Sequence, residues 1–211
     1  CDWIYYVYDR ADNLIFTQDG EQRKDGKDEW SFTIPDAHGR IVLTGICKNT
    51  LNYAVNPLDN IIVKGSWTNV TNTYKGYSIT GVTLTTPQIT TVNYYDNYEF
   101  LGKNSIPNNS STQFTELNGY GSWHENNSKG LLTGTLTAQL GTTSNTTFLY
   151  TAMYYDNRAR MVQAKSNNHL NGTDFEYVSY NFTGQPLKRM NIHKIPNKPD
   201  QTEEYTYSYD H

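Results

Sequence analysis

The sequence predicts an all-β chain: stacked antiparallel β-hairpins that pair into an open, coiled sheet. Three observations carry that reading. Eighteen of the 211 residues are Tyr and only three are Met, and Thr and Asn are abundant. Tyr and Thr favour pleated, half-wet surfaces, while Asn and Gly supply turns. Long stretches of Ala, Leu, Glu and Lys at helical spacing are missing. One strand–corner–strand phrase is also written several times over.

The phrase is an aromatic or apolar strand, an acidic or amide corner, a short polar run and a return strand. In chain order the corners are Asp9 (YYVYDRADNLIF), Asp36 (FTIPDAHGRIVL), Asp96 (VNYYDNYEFLG), Asp156 (AMYYDNRARMVQ), Asn181 (YVSYNFTGQPLK) and Asp210 (YTYSYDH). The Asp or Asn side chain can accept backbone N–H bonds two residues on and so close a turn. Three residues after the corner, Gly39 and Gly184 suit the positive φ of a three-residue hairpin loop with a bulge. Asp12, Glu99 and Ala159 stand at that place in other copies. Asp tolerates the conformation; Glu and Ala fit it poorly, which predicts a different turn type at those corners.

Successive corners lie 27, 60, 60, 25 and 29 residues apart. Sixty is two short periods, so each long interval is expected to hold a degenerate unit or an insertion. Residues 1–47 read as the first two units. Residues 48–91 read as an insertion or degenerate unit, with strands of its own around TNTYKGYSITGVTL (Thr71–Leu84), and residues 92–211 as further units. A single hairpin cannot bury its own face, whereas stacked hairpins can.

Composition and motifs narrow the function. A formal net charge of −4 with both signs interspersed gives no nucleic-acid footprint and no polybasic membrane patch. No apolar run approaches the roughly 20 residues of a membrane helix. There is no Cys-x-x-Cys, His-Glu-x-x-His, Gly-x-Ser-x-Gly or phosphate-binding glycine loop. His38, His124, His169, His193 and His211 have no carboxylate or second His at ligand spacing. Asp, Glu and Tyr are plentiful, but no carboxylate pair stands out. No catalytic residue, metal or cofactor is therefore expected. The segment Gln18–Trp30 holds Asp19, Asp25, Asp28 and Glu29, lacks the spacing of a calcium loop, and reads as a solvated connection. Cys1 and Cys47 are two unrelated thiols or one disulfide; two cysteines make no framework.

The aromatics are the better binding candidates. Trp67, Tyr74 and Tyr77 lie in the insertion, and Tyr120 and Trp123 in NGYGSWHENN. Such rings, flanked by Asn and Thr, can stack on sugars. They can equally pack on the sheet, and so Tyr-rich a chain needs aromatics in its core.

The repeated units resemble the YD repeats of Rhs-type proteins. Longer phrases are similar to Rhs-repeat proteins of Bacteroides-type bacteria: YYVYDRADNLIFTQDGEQR (Tyr5–Arg23), VNYYDNYEFLG (Val92–Gly102), GLLTGTLTAQLG (Gly130–Gly141) and the run Tyr154–Lys188. The likeness covers most of the chain and is weakest over Lys48–Thr91. It implies a large bacterial polypeptide, secreted or at the cell surface, whose repeats coil into a β-spiral that closes as a hollow shell. In several relatives the shell encloses a C-terminal domain. The likeness therefore implies a non-catalytic internal segment, partnered by further YD repeats and by whatever the shell encloses. Open strand edges predict edge-to-edge self-association of the segment in isolation. The alternative expectation is a cell-surface glycan-binding module using the exposed aromatics.

Overall fold

The computed structural model describes residues 2–52, 55–139 and 147–210, with the backbone alone at Asp25. The protein is all-β. Among the described residues eleven strands form one antiparallel sheet that stays open, and two more form a separate hairpin. The chain divides into two compact units, Cys1–Asn93 and Tyr94–His211.

The first unit contains β1 (Tyr5–Tyr8), β2 (Leu14–Gln18), β3 (Trp30–Pro35), β4 (Ile41–Cys47), β5 (Lys64–Trp67), β6 (Tyr77–Thr80) and most of β7 (Gln88–Tyr95). The sheet order is β1-β2-β3-β4-β7, and β5 pairs only with β6. Strand β3 shows why the sheet holds. Trp30, Phe32 and Ile34 are at most 2% exposed, while Ser31 and Thr33 between them face the wetter side. Phe16 meets Trp30 edge-on, with ring centroids 6.3 Å apart. Each such side chain taken out of water contributes about 2 kcal/mol. The connection Gln18–Trp30 is more ordered than a plain solvated link. Asp19 accepts the Gln22 N–H at 2.9 Å, and Gln22 accepts the Asp19 N–H at 3.0 Å. This capping box starts a helical turn, α1 (Gly20–Arg23), which runs into a 3-10 turn at Lys24–Gly26. The Cys47 thiol is buried and free, and Cys1 lies outside the described residues.

The second unit is a meander. Strands β8 (Leu132–Ala138), β9 (Phe148–Tyr155), β10 (Met161–Asn167), β11 (Thr173–Tyr180), β12 (Pro186–Lys194) and β13 (Gln201–Thr206) each pair with the next in chain order. Residues 97–131 form no strand and lie against this sheet. The Tyr154 hydroxyl donates to the Thr112 carbonyl at 2.5 Å, and Tyr98 donates to the Met153 carbonyl at 2.7 Å. Gln163 accepts the Thr115 N–H at 3.0 Å and donates to its carbonyl at 2.8 Å.

The repeat period is a pair of strands, so Asp156 and Asn181 sit at one end of the second unit's sheet. The two long intervals each take in a non-sheet run: 48–87, which carries the β5–β6 hairpin, and 97–131. Burial fades at the two outer strands. Every residue of β13 is exposed, and Ile4 just before β1 and Tyr6 and Tyr8 within it are 51%, 54% and 43% exposed.

Candidate functional site

The corners share one geometry. At Asp9, Asp36, Asp156 and Asn181 the corner N–H donates to the carbonyl four residues on. The N–H three residues on donates back to the corner carbonyl. The side-chain oxygen takes up the loop amides: Asp9 accepts from Ala11 and Asn13, Asp36 from His38 and Arg40, Asp156 from Arg158 and Arg160, and Asn181 from Gln185, at 2.8–3.0 Å. The residue three on is left-handed in each: Asp12 (φ 60°), Gly39 (φ 77°), Ala159 (φ 59°) and Gly184 (φ 93°). Ala159 thus adopts the same turn as the glycines, contrary to its steric preference; the Asp156 bonds hold it there. A fifth corner, Asn168, has the same bonds and was not among the sequence candidates. Its side chain accepts from Leu170 at 3.1 Å and Gly172 at 2.9 Å, and Asn171 takes φ 59°.

Two corner candidates are placed differently. Asp96 itself has φ 75°, donates its N–H to the Leu131 carbonyl and accepts the Gly130 N–H at 2.6 Å. It joins the two ends of the 97–131 run. Glu99, aligned with the glycines, lies inside that run. Asp210 follows β13 and is exposed, and His211 lies outside the described residues.

Acid and arginine form one device. Arg160 pairs with Asp156 through Nη2 at 2.6 Å, and Arg40 pairs with Asp36 at 2.7 Å. Arg160 also donates from Nη1 to the Asn181 carbonyl at 2.9 Å and covers the Tyr180 ring at 4.8 Å. It therefore ties one corner to the next. Burial opposes ionisation of Asp156, but Arg160 and the loop amides outweigh it and hold the carboxyl below its ordinary value. Burial likewise opposes ionisation of Asp9, and N–H donors from Val63, Asn13 and Ala11 bring the net shift down.

A second device explains the Tyr before the corner. Its hydroxyl donates to the carbonyl of the first residue of the preceding return strand: Tyr155 to Leu132 at 2.5 Å, Tyr180 to Met161 at 2.9 Å and Tyr209 to Pro186 at 2.8 Å. Continuing each strand register by two residues places each acceptor opposite the residue before its tyrosine. The tether binds each hairpin to its predecessor.

The aromatic candidates fall in separate places. In the first unit Trp67 meets Tyr77 edge-on at 5.5 Å, and Tyr77, buried, donates its hydroxyl to the Asn93 carbonyl at 2.7 Å. Tyr74 is half-buried in the turn before β6. In the second unit Trp123 packs edge-on against Tyr98 at 5.3 Å and Tyr154 at 5.2 Å. Tyr98 and Tyr154 stack on one another at 4.8 Å. The buried indole N–H of Trp123 lies beside the Tyr98 hydroxyl without a hydrogen bond of ordinary geometry. Tyr77 and Trp123 are thus packing residues first. Tyr120 differs: half-buried, it reaches Glu204 with its hydroxyl at 3.0 Å, and burial followed by that bond pushes its pKa up to about 12.

The second unit carries several grooves, one of them, of about 630 Å³, beside Tyr98, Glu99 and Trp123; two others gather polar groups. One, of about 390 Å³, is lined by Tyr120, Ser122, Trp123, Asn157, Ser179 and Tyr180 among others. Gly121 lets the chain lie this close to β10, since a Cβ there would sit 2.4 Å from the Val162 Cγ1. The other, of about 500 Å³, runs over β9–β13. There His193 Nδ1 meets Asp174 Oδ1 at 2.5 Å and Arg189 Nε meets Glu176 Oε1 at 2.9 Å. Each of these two carboxylates has a nitrogen partner on the neighbouring strand. Ser166 lies across from Asp174, not from His193, in the strand register, so the three do not form a nucleophile–base relay. Among the described residues no three His, Cys, Asp or Glu side chains are grouped to hold a metal.

The most buried cation is Lys165, 1% exposed. It donates to the Ser110 carbonyl at 2.9 Å and Thr115 Oγ1 at 2.8 Å, and burial pulls its pKa down to about 8. Sequence reasoning missed Gln163 and Lys165 because polar residues in a strand signal the solvent face. Here they bind the 108–115 segment. No family model matches this chain, and no curated protein matches it.

Proposed function

We propose that this chain is a non-catalytic structural segment of an Rhs-type YD-repeat protein. It is a stretch of β-sheet wall that encloses or displays another part of the same polypeptide. The observation that carries the reading is the recurring corner with its tyrosine tether. Both devices spend their polar groups on joining hairpin to hairpin. The open sheet, with an exposed strand at each edge, fits a wall that further strands extend. The shell, its contents and a secreted or cell-surface bacterial setting are what the family resemblance adds. Immunoblotting of source cells with an antibody to this chain tests the reading. A band far above 24.2 kDa supports it, and a band at that mass refutes it.

A second reading is a glycan-binding module, favoured by the groove beside Tyr120. Half-buried aromatic rings, hydroxyls and an amide line it, the groups that grip a sugar. Binding on a broad glycan panel that is lost in Tyr120→Ala supports it, and an empty panel removes it. Trp123→Ala is unsuitable for this test, because Trp123 is part of the ring cluster that supports the 97–131 run.

A further inference from the structure

The two outer strands carry the same pattern. Counting back from the corner, Ile4, Tyr6 and Tyr8 occupy the positions of Tyr205, Tyr207 and Tyr209, and all six are exposed. They differ in charge. Trp3–Tyr8 has no charged residue, whereas β13 carries Glu203 and Glu204, and glutamates on an edge discourage pairing. Among the described residues β1 is bonded on one side only, to β2. Its corner end is fixed: Asn56 donates to the Tyr8 carbonyl at 2.9 Å, and Val63 donates to Asp9 at 3.0 Å. Tyr8 stands in the tether position. Where Tyr155, Tyr180 and Tyr209 each reach a carbonyl one strand back, Tyr8 has no such strand among the described residues.

We infer that the outward edge of β1 is a docking surface for the return strand of one further hairpin of this repeat type. That strand runs antiparallel to β1, and the carbonyl of its first residue accepts the Tyr8 hydroxyl. Where an arginine precedes that residue, its guanidinium lies on the Tyr8 ring, as Arg160 lies on Tyr180. The inference rests on the scaffold reading for the source of the strand, a further repeat of the same polypeptide. Uncharged, aromatic β1 favours such an addition through main-chain bonds and ring burial.

The test extends the full chain at its amino end with a copy of residues 156–168, joined by a short Gly/Ser/Asn connection. Amide hydrogen exchange is followed in dilute solution, with β3 and β4 as the check on an intact fold. The outward-facing amides of β1 are expected to slow at least tenfold in the extended chain. Tyr8→Phe is expected to reduce that gain severalfold, and Tyr6→Phe to leave it. Unchanged β1 exchange overturns the inference, as does equal slowing with Tyr8→Phe. Equal slowing in the unextended chain at the same dilution also overturns it, since the occupant is then a second copy. Should the extended chain behave as expected while the immunoblot band sits at the mass of this chain, the strand site stands and the scaffold reading falls.

Discussion

The Tyr180 hydroxyl donates to the Met161 carbonyl, one strand back, at 2.9 Å. The contact joins two hairpins without using a main-chain donor, so it adds to the β-ladder. Tyr180→Phe removes the hydroxyl and keeps the ring under Arg160. Its expected cost is about 1 kcal/mol in urea denaturation. Tyr8→Phe, with no strand beyond it among the described residues, is expected to cost less than about 0.5 kcal/mol, the scale of a neutral surface change. Equal losses at the two positions would rule out the tether as the source.

Ala159 holds φ 59°, a conformation that costs an L-residue about 1 kcal/mol. Gly39 and Gly184 occupy the equivalent place in their corners. Ala159→Gly is expected to raise the urea midpoint, with a net gain of about 0.5 kcal/mol after the entropy of the added glycine is subtracted. A lowered midpoint would show that the Ala methyl makes a contact worth more than the strain.

The depressed Asp156 carboxyl makes stability depend on acid. Its folded pKa lies below the ordinary 3.8, so the unfolded chain takes up the proton first as pH falls. The stabilisation is fully present above the unfolded value and is lost as pH drops through the folded one. Thermal melts of wild type and Asp156→Asn are expected to differ near pH 6 and to converge towards pH 2. A constant gap across that range would mean that the ion pair with Arg160 adds nothing.

Lys165 shifts the other limb. Its folded pKa of about 8 lies below the unfolded 10.5, so between those values the unfolded state binds the extra proton and stability rises with pH. Lys165→Met lacks this slope. The melting temperature of wild type relative to the variant is therefore expected to climb between pH 8 and pH 10, and a flat difference would refute it. Neighbouring tyrosines titrate in both proteins, so the difference isolates the lysine.

Much of the sheet was legible because a carboxylate or amide closing a hairpin has a local signature. Asp9, Asp36, Asp156 and Asn181 each precede a residue that turns left-handed three positions on. Asn168 was missed because the strand before it ends in the polar run Lys165–Asn167 and not in aromatic or apolar residues, and no glycine stands three positions on. Its signal was Asn followed by Gly four residues later, weaker than the full phrase. Asp96 carries the phrase but not the turn: the residues after it pack Tyr98 and Phe100 against other rings, and that burial overrides the local preference. Gln163 and Lys165 lay beyond sequence reasoning, since their partners come from a strandless run some fifty residues earlier. The aromatic site candidates were visible as rings, but which of them face each other is a tertiary fact. Trp67 and Tyr77 are brought together by the β5–β6 pairing, and Trp123 is drawn into packing, which leaves Tyr120 beside a groove.

The meander of β8 to β13 also fixes how this unit yields to force. Because each strand is bonded to its neighbour in chain order, tension on the chain beyond β13 loads the ladder bonds a few at a time, as a zipper is opened, and not all together in shear. The exposed β13 would peel first, with little buried surface to resist, and β12 would follow. Drawn from that side, the unit meets a succession of small barriers, hairpin by hairpin.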